Sequence, residues 1–191
     1  IWPAMLMAAG QPVPHRVFAH GWLLVGGQKM SKSKANGIRP DELVDTFGSD
    51  AYRYYFARAL TFGSDGSISW EDINARYHAE LANGFGNLAS RVAAMIGKYA
   101  GGALPDAGAT TDAEQKVIDV VESAVAEADA AIDALAPHDA LGAVWRIVDE
   151  LNGYLTEQAP WKVAKDEAQG DRLATILATA AEGLRVLAVV L

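Results

Sequence analysis

After residue 70, apolar residues recur every three or four positions almost to the end of the chain, and this spacing constrains the fold more than any other feature. It places the apolar side chains on one face of a helix with 3.6 residues per turn. The first such stripe, between Glu71 and Tyr99, consists of Ile73, Tyr77, Leu81, Leu88, Val92, Ile96 and Tyr99. A stretch of this length and period predicts one long amphipathic helix.

Three further long helices and one short helix are predicted after a linker of glycine, alanine and proline at 101–105. A capping box at 111–114 begins the second helix. Asp139 is expected to cap the third, Pro160-Trp161 to begin a short helical segment, and Asp171 to open the last helix. Short connections between amphipathic helices favour an antiparallel bundle.

The first 70 residues have a different pattern, with short apolar runs, prolines and glycines. Residues 17–20 are typical of a buried strand, and residues 22–25 are typical of a strand that leads through the glycine pair 26–27 into a turn or hairpin. Pro40 begins a predicted helix, and Asp50 is expected to cap the next one. The chain is therefore predicted to be mainly α, with a small α/β part at its start.

Composition excludes several kinds of site. The chain has no cysteine, which excludes disulfides and thiolate metal sites and fits a reducing compartment. No uninterrupted apolar run reaches the roughly 18 residues of a membrane span, and no signal peptide is visible. The net charge of −8 argues against a general nucleic-acid binder. Because the chain begins with Ile1 and its apolar pattern continues to Leu191, we expect it to be a piece of a longer protein.

Three lysines lie within six residues between two glycine-containing stretches. The run consists of Lys29, Met30, Ser31, Lys32, Ser33 and Lys34. A lysine ammonium is a point charge on a flexible stem that can reach a phosphate, and flanking glycines allow a loop to open and close. By residue type alone, the run fits either a phosphate-binding lid or a solvated basic loop.

A polar stripe lies on the predicted long helix, where Asn83, Asn87 and Arg91 follow at intervals of four. At about 100° per residue they fall on one line away from the apolar stripe. Asn is a poor helix former, so two in register favour a hydrogen-bonding role, with a solvated face as the alternative. Trp161, which follows Pro160, fits either stacking on an unpaired base or packing in the core.

Residues 29–33 resemble the second signature of the class I aminoacyl-tRNA synthetases. Other stretches resemble the methionyl-tRNA synthetase family in the expected order: Trp2 to Leu6, His20 to Leu23, Asp50 to Tyr55, Asn87 to Arg91, and Ala159 to Trp161. The chain thus resembles the C-terminal part of that family. The resemblance implies that residues 1–70 are the end of a Rossmann-type α/β catalytic domain with the stem-contact region. Residues 71–191 would form an antiparallel α-helical anticodon-binding domain.

The same resemblance implies methionine–tRNA ligase chemistry in two steps. Methionine attacks the α-phosphate of Mg²⁺-bound ATP to give methionyl-adenylate and pyrophosphate, and the terminal hydroxyl of the tRNA then takes the methionyl group. Lys29 and Lys32 would be catalytic, neutralising the charge that grows on pyrophosphate, with the larger role for Lys32. The implied ATP-binding residues are His20, Gly21, Lys29, Met30, Ser31, Lys32 and Ser33. For His20, a structural role at the sheet edge is an equal alternative.

Anticodon reading is assigned by the resemblance to Asn83, Asn87, Arg91 and Trp161. Amide and guanidinium groups can read the edges of splayed loop bases, and an indole can stack on one of them. The implied partners are tRNA(Met), methionine, ATP and the N-terminal half of the enzyme. No membrane partner and no metal site in this chain are expected, and the expected location is the cytoplasm.

Two other functions stay open. The sequence contains no His-x-Gly-His, the first class I signature, so we expect this piece alone to be inactive. A non-catalytic tRNA-binding module would show the same pattern. A synthetase for another aliphatic amino acid would share the lysine run, although residues 87–91 and Pro160-Trp161 favour methionine.

Overall fold

A computed structural model describes residues 1–30 and 37–191, and in these residues the chain is mainly helical with one small sheet. The helices are α1 Trp2–Ala8, α2 Pro40–Phe47, α3 Ser49–Ala59, α4 Trp70–Arg76, α5 Asn87–Tyr99, α6 Asp112–Asp133, α7 Pro137–Gln158, α8 Pro160–Val163 and α9 Gly170–Val190. A π-helical segment, Tyr77–Gly86, joins α4 to α5, and a 3₁₀ turn, Glu167–Gln169, precedes α9. The strands are β1 Leu23–Val25, β2 Gln28–Lys29 and β3 Gly66–Ile68.

Strand β1 lies at the centre of the sheet, between antiparallel β2 and parallel β3. Leu24 is opposite Lys29 on one side and Ser67 on the other. Gly26 and Gly27, which join β1 to β2, have φ of +57° and +73°. A two-residue hairpin turn of the type that matches the strand twist requires positive φ at both positions, which glycine adopts without steric cost. The strand and turn predicted from residues 22–27 are confirmed.

The strand predicted at residues 17–20 is wrong. These residues belong to no helix or strand, and Val17 is 68% exposed. The Phe18 ring packs on Phe62, with centroids 5.3 Å apart. An apolar run becomes a strand only where another backbone pairs with it, and none of the described strands does so here.

Two predicted helix caps are also wrong. Helix α3 begins at Ser49 with Gly48 as its N-cap, so Asp50 lies inside the first turn. Helix α7 begins at Pro137, and Asp139 lies in its first turn. Proline is pre-organised for the first helical position, and an acid in the first turn still interacts favourably with the helix dipole.

The long helix predicted from 71 to 99 runs from Trp70 to Tyr99, but its middle third is π-helical rather than α-helical. Gly84 lies in this segment, and a Cβ placed there would be 3.3 Å from the Trp145 indole. The small residue thus allows α7 to approach closely. A π-helical segment of ten residues is unusual, since most π-helix occurs as single turns within α-helices.

Two hydrophobic clusters flank this segment. The smaller contains Leu43, Tyr55, Ile68 and Ile73. The larger contains Leu88, Val92, Val117, Ala124, Val144, Ile147, Val148, Leu151, Tyr154, Leu155, Ile176, Ala180 and Leu187. The long helix therefore begins in one core and ends in the other.

A half-buried ionic cluster joins the two parts. Glu80, in the π-helical segment, accepts hydrogen bonds from the Tyr54 hydroxyl at 2.6 Å and Arg76 Nη1 at 3.2 Å, and Arg58 Nε lies 3.7 Å away. Tyr54 also packs on the Trp145 ring, 5.6 Å between centroids. Burial, together with the Glu80 carboxylate, raises the pKa of Tyr54. The tyrosine therefore stays protonated and donates to Glu80.

Glu114 is a buried carboxylate, 1% exposed, at the start of α6. Its oxygens accept from Thr111 N and Oγ1, from the Tyr154 hydroxyl, and from Arg172 Nη1 and Nη2 at 2.8 Å each. Burial alone would raise the pKa of Glu114, but these hydrogen bonds outweigh it and lower the pKa to about 2. The predicted capping box is confirmed, and its acid also ties α6 to α7 and α9.

Helix α9, with the 3₁₀ turn before it, is long and apolar enough to cross a membrane by length and composition alone. Sequence reasoning missed this candidate, whose apolar residues are interrupted by Glu182 and Arg185. Ile176, Ala180 and Leu187 on this helix are fully buried in the larger cluster. These residues of the helix contribute to the core of the bundle.

Acidification is predicted to weaken the bundle through Glu114. Its pKa is about 2 in the folded chain against an ordinary value of 4.5, so its contribution is complete above about pH 5 and lost as pH falls through 2. Glu114→Gln should lower the free energy of unfolding at pH 7 by roughly 2–4 kcal/mol. Urea unfolding at pH 7 and pH 3 measures both effects.

The matched control is Glu122→Gln, which removes the same charge from an exposed position on the same helix. The control should keep the stability of the parent at pH 7. The stability lost between pH 7 and pH 3 should be smaller for Glu114→Gln than for the parent or the control. Equal stability of the two variants at pH 7 would contradict the role of the buried pair.

A glycine pair tests the packing of α9 on α7. A Cβ at Gly183 would meet Leu151 Cδ2 at 2.7 Å and Cγ at 3.2 Å, whereas a Cβ at Gly153 would meet nothing within 4 Å. Gly183→Ala should destabilise the chain by roughly 1–3 kcal/mol through overpacking. Gly153→Ala should stabilise it by roughly 0.5–1 kcal/mol through helix propensity. Thermal unfolding of both variants gives the comparison, and a stable Gly183→Ala would show that the two helices can separate at little cost.

Candidate functional site

Lys29, the first lysine of the run, ends strand β2, and its ammonium lies 4.2 Å from the ring centroid of Trp22. The Trp22 backbone is fixed on both sides, because its N–H donates to Asp65 Oδ1 at 2.7 Å and its carbonyl accepts from Gly66 N at 2.9 Å. A cation over an exposed indole gains about 0.5–1 kcal/mol. The hairpin and the indole thus hold this lysine in a defined place.

Gly21 has a packing reason to be glycine. A Cβ there would lie 2.0 Å from the carbonyl oxygen of Ser64, a clash with backbone that cannot be relieved by a rotamer change. The neighbouring His20 is exposed, its Nδ1 is 2.7 Å from the Gly21 carbonyl oxygen, and its ring meets Phe62 edge-on. Together with Trp22, these residues line a mostly apolar cavity of about 350 Å³.

The candidate ATP-site residues fall into two groups. His20, Gly21, Lys29 and Met30 lie on or next to the β1–β2 hairpin. Ser31, Lys32 and Ser33, like the neighbouring Lys34, lie outside the described residues. The structure therefore places the base of the predicted loop.

The polar stripe is split by the change in helix type. Asn87 and Arg91 lie in α5, so their spacing of four keeps them on one face. Asn83 lies in the π-helical segment, where the angle of 100° per residue does not apply. Asn83 and Asn87 are exposed, while Arg91 is half-buried.

Arg91 is held in place by a residue that sequence reasoning missed. Its Nη1 donates to Asn152 Oδ1 at 3.2 Å, and Asn152 Nδ2 donates to the Val148 carbonyl at 3.0 Å. Asn152 therefore fixes the guanidinium across the α5–α7 interface. The available signal was that Asn152 is itself a poor helix former within a helix, which is the argument applied to the stripe.

Ala159 and Pro160 form a tight bend between α7 and α8, called the elbow below, and Trp161 follows it. Ala159 has a left-handed backbone, φ +44° and ψ +58°, which residues other than glycine seldom adopt. Pro160 is fully buried, while the Trp161 side chain next to it is 40% exposed. The elbow thus anchors the chain in the core and presents a large flat ring at the surface.

Arg91 and Trp161 lie at the same end of the bundle. Asn152, the partner of Arg91, is six residues before the end of α7, about 9 Å along its axis. Trp161 follows that end by three residues. Trp145, by contrast, packs against Tyr54, away from this end of the bundle.

The described residues contain no group of three or more His, Cys, Asp or Glu side chains that could hold a metal ion. The candidate site in the described residues has two separate parts. One is the β1–β2 hairpin with Lys29, and the other is the surface of the bundle with Asn87, Arg91 and Trp161.

Two family models match the chain in succession. Residues 1–93 match the model described as "tRNA synthetases class I (M)". Residues 104–190 match the model described as "Anticodon binding domain of methionyl tRNA ligase". The first match includes the lysine hairpin and the polar stripe, and the second includes Trp161.

Curated relatives and solved structures agree with these matches. The methionine–tRNA ligase of Streptomyces coelicolor is 60% identical over 194 residues, covering all of this chain and 36% of that protein. The enzyme of Caldanaerobacter subterraneus is 44% identical over all of this chain and 30% of that protein. A structure of Mycobacterium tuberculosis methionyl-tRNA synthetase in complex with methionyl-adenylate matches with a TM-score of 0.90 at 39% identity, over 99% of this chain and 38% of that one.

The chain spans about a third of the length of the curated relatives it matches. Over that third the match in sequence, in fold and in domain order is continuous. The chain belongs to the methionyl-tRNA synthetase family of class I aminoacyl-tRNA synthetases.

Proposed function

We propose that this chain is the part of a methionine–tRNA ligase that brings the second signature loop to ATP and reads the anticodon of tRNA(Met). The observation that carries the proposal is the exposed indole of Trp161 on a buried elbow, at the end of the bundle where Asn152 holds Arg91. An aromatic ring that is attached to a buried backbone and exposed to solvent is suited to stacking on an unpaired base. A guanidinium oriented by an amide is suited to reading a base edge.

The proposed reaction has two steps. The carboxylate of methionine attacks the α-phosphate of ATP, and pyrophosphate leaves with the negative charge. The terminal hydroxyl of tRNA(Met) then attacks the carbonyl carbon of the adenylate, and AMP leaves. Mg²⁺ would enter with the ATP phosphates. The relatives are longer than this chain, and the remainder of the catalytic domain would lie in that additional length and supply the rest of the ATP site and the methionine pocket.

In the first step, the lysine loop would act on the leaving group. Lys29 starts from a fixed place over Trp22, at the base of the loop. Lys32 lies three residues further along, beyond the described part of the hairpin. Ammonium groups that approach the pyrophosphate as its charge grows lower the barrier more than they strengthen ATP binding. We therefore assign the larger catalytic role to Lys32 and a supporting role to Lys29.

The two parts of the chain would divide the work. Residues 1–70 would complete the Rossmann-type catalytic domain and include the stem-contact region, and residues 71–191 would form the anticodon-binding bundle. Two separate hydrophobic clusters support a division into two parts, since Leu43, Tyr55 and Ile68 belong to one and Leu88 and Val92 belong to the other. Ile73, just after the proposed boundary, packs with the first part. The place of action would be the cytoplasm.

Removal of the indole tests anticodon reading. Trp161→Ala should weaken binding of an anticodon hairpin with loop sequence CAU by about 5–150-fold, since stacking contributes roughly 1–3 kcal/mol per base. Trp161→Phe keeps an aromatic face and should lose less. Fluorescence anisotropy with a labelled hairpin measures both variants beside the parent.

Two controls accompany this measurement. A hairpin with its first anticodon base changed should bind the parent chain poorly, and Trp2→Ala, which removes another exposed indole, should bind the CAU hairpin like the parent. Equal binding of both hairpins by the parent would count against anticodon reading. Unchanged binding by a folded Trp161→Ala would exclude this residue from the interface.

The lysine loop is tested in the full-length protein. Lys32→Ala should lower kcat for methionine-dependent ATP–pyrophosphate exchange by about 10²–10³-fold with a small change in KM for ATP. Lys29→Ala should have a smaller effect on kcat. The 191-residue chain alone should show no exchange, because it lacks the first signature. A Lys32→Ala enzyme with parental kcat would remove the loop from the mechanism, and exchange by the 191-residue chain alone would contradict the division of the active site.

A further inference from the structure

Gln158 is the last residue of α7 and stands directly before the left-handed Ala159. Its Oε1 accepts a hydrogen bond from Arg172 Nη2 at 2.7 Å. Gln158 is half-buried, so this bond is partly shielded from competing water. The end of α7 is thereby tied to the first turn of α9.

Arg172 cannot turn away from Gln158 without losing other bonds. Its Nη1 donates to Glu114 Oε2 and its Nη2 donates to Glu114 Oε1, each at 2.8 Å. A paired guanidinium of this kind is both strong and fixed in direction. Arg172 Nη2 donates to both Glu114 Oε1 and Gln158 Oε1. The buried carboxylate therefore fixes the guanidinium, and the guanidinium in turn holds the side-chain amide of Gln158.

The carboxylate is fixed in turn. Thr111 and Tyr154 donate to Glu114 from α6 and α7. The series Glu114, Arg172 and Gln158 is therefore a rigid connection from the core to the elbow.

The elbow needs such a connection. A left-handed backbone is unfavourable for any residue with a Cβ, so Ala159 relaxes toward ordinary dihedrals unless its neighbours oppose this. A change of φ and ψ at Ala159 rotates all that follows, including the ring of Trp161. Burial of Pro160 holds the far side of the elbow, and the Gln158 side chain holds the near side.

We infer that Gln158, held by Arg172 and Glu114, is a positioning residue that sets the orientation of the Trp161 ring for the anticodon base. This inference rests on the proposed function. Gln158 would then be a second determinant of anticodon recognition, and it would act through Trp161 without contacting the RNA itself.

The test separates the orientation of the ring from the stability of the bundle. Gln158→Met has a side chain of similar length, leaves the Glu114–Arg172 pair intact and removes only the bond to the elbow. Gln158→Glu restores an oxygen that accepts from Arg172. Gln115→Met is the matched control, because Gln115 is exposed on α6 and its amide donates to Asp119 on the same helix.

The first readout is ¹⁹F NMR of the chain labelled with 5-fluorotryptophan. The five tryptophans give five resonances, and Trp161→Phe identifies that of Trp161. Gln158→Met should shift or broaden the Trp161 resonance and leave that of Trp145 in place, while Gln158→Glu should return it toward the parental position. The control should change neither resonance.

The second readout is binding of the CAU hairpin. Gln158→Met should bind about 5–30-fold more weakly than the parent, as expected when one shielded hydrogen bond is lost, and Gln115→Met should bind like the parent. A folded Gln158→Met with an unchanged Trp161 resonance and unchanged affinity would overturn the inference, as would an equal loss in the control. If the parent itself fails to bind the hairpin, the proposed function fails, whereas the NMR arm still decides whether Gln158 positions the ring.

Discussion

The buried carboxylate of Glu114 determines how one end of the bundle is assembled. A charge removed from water is tolerated only where paired groups surround it, and here donors come from the N-cap of α6, from α7 and from α9. A shift of any of these elements along its neighbour would leave the charge unpaired. The apolar residues of the bundle favour a compact arrangement of any kind, whereas the Glu114 carboxylate favours one alignment of α6, α7 and α9 along each other. The end that it fixes is the one that carries Trp161.

Glu80 has a similar role where the two parts of the chain meet. It pairs with Arg76 one turn before it in the long helix and with Tyr54 and Arg58 from α3. Tyr54 also packs on Trp145 of α7, so the acid and the aromatic pair together join the sheet-containing part to the bundle. The π-helical segment is the backbone adjustment at this junction. At both Glu114 and Glu80, an acidic side chain between helices fixes how the helices are placed against each other. Apolar packing alone would allow several placements.

Sequence reasoning found what depends on local pattern. The apolar period gave the helices of the bundle, the capping box gave the start of α6, and the glycine pair gave the β1–β2 turn. It failed where the local structure depends on residues that are distant in the sequence. The run at 17–20 has strand-like residues without a described partner, and the π-helical segment contains Gly84, which is approached by Trp145 from a helix some 60 residues away in sequence.

The candidate site divides in the same way. The lysine run is a local signal, and its resemblance to a known signature gave it a chemical meaning. Asn152 gave only the weak signal of a poor helix former within a helix, and Gln158 gave none, because their roles depend on Arg91 and Arg172, which are 61 and 14 residues away. A side chain that positions another is visible only once the fold has brought the two together. Trp161 was identified by resemblance, since a tryptophan after a proline fits a core position equally well.

The two ends of the site turn the chain by different means, and the difference fits the role proposed for each. The turn before Lys29 uses glycines, which adopt positive φ without strain but also allow other conformations. The elbow before Trp161 uses alanine, which is strained in the left-handed region and persists there only because its surroundings hold it. If the lysine run approaches a developing pyrophosphate, as proposed, it would benefit from a hinge with several accessible states. If the Trp161 ring distinguishes one base from another, as proposed, it would benefit from a single orientation, because any freedom it kept before binding would be lost on binding and would weaken recognition.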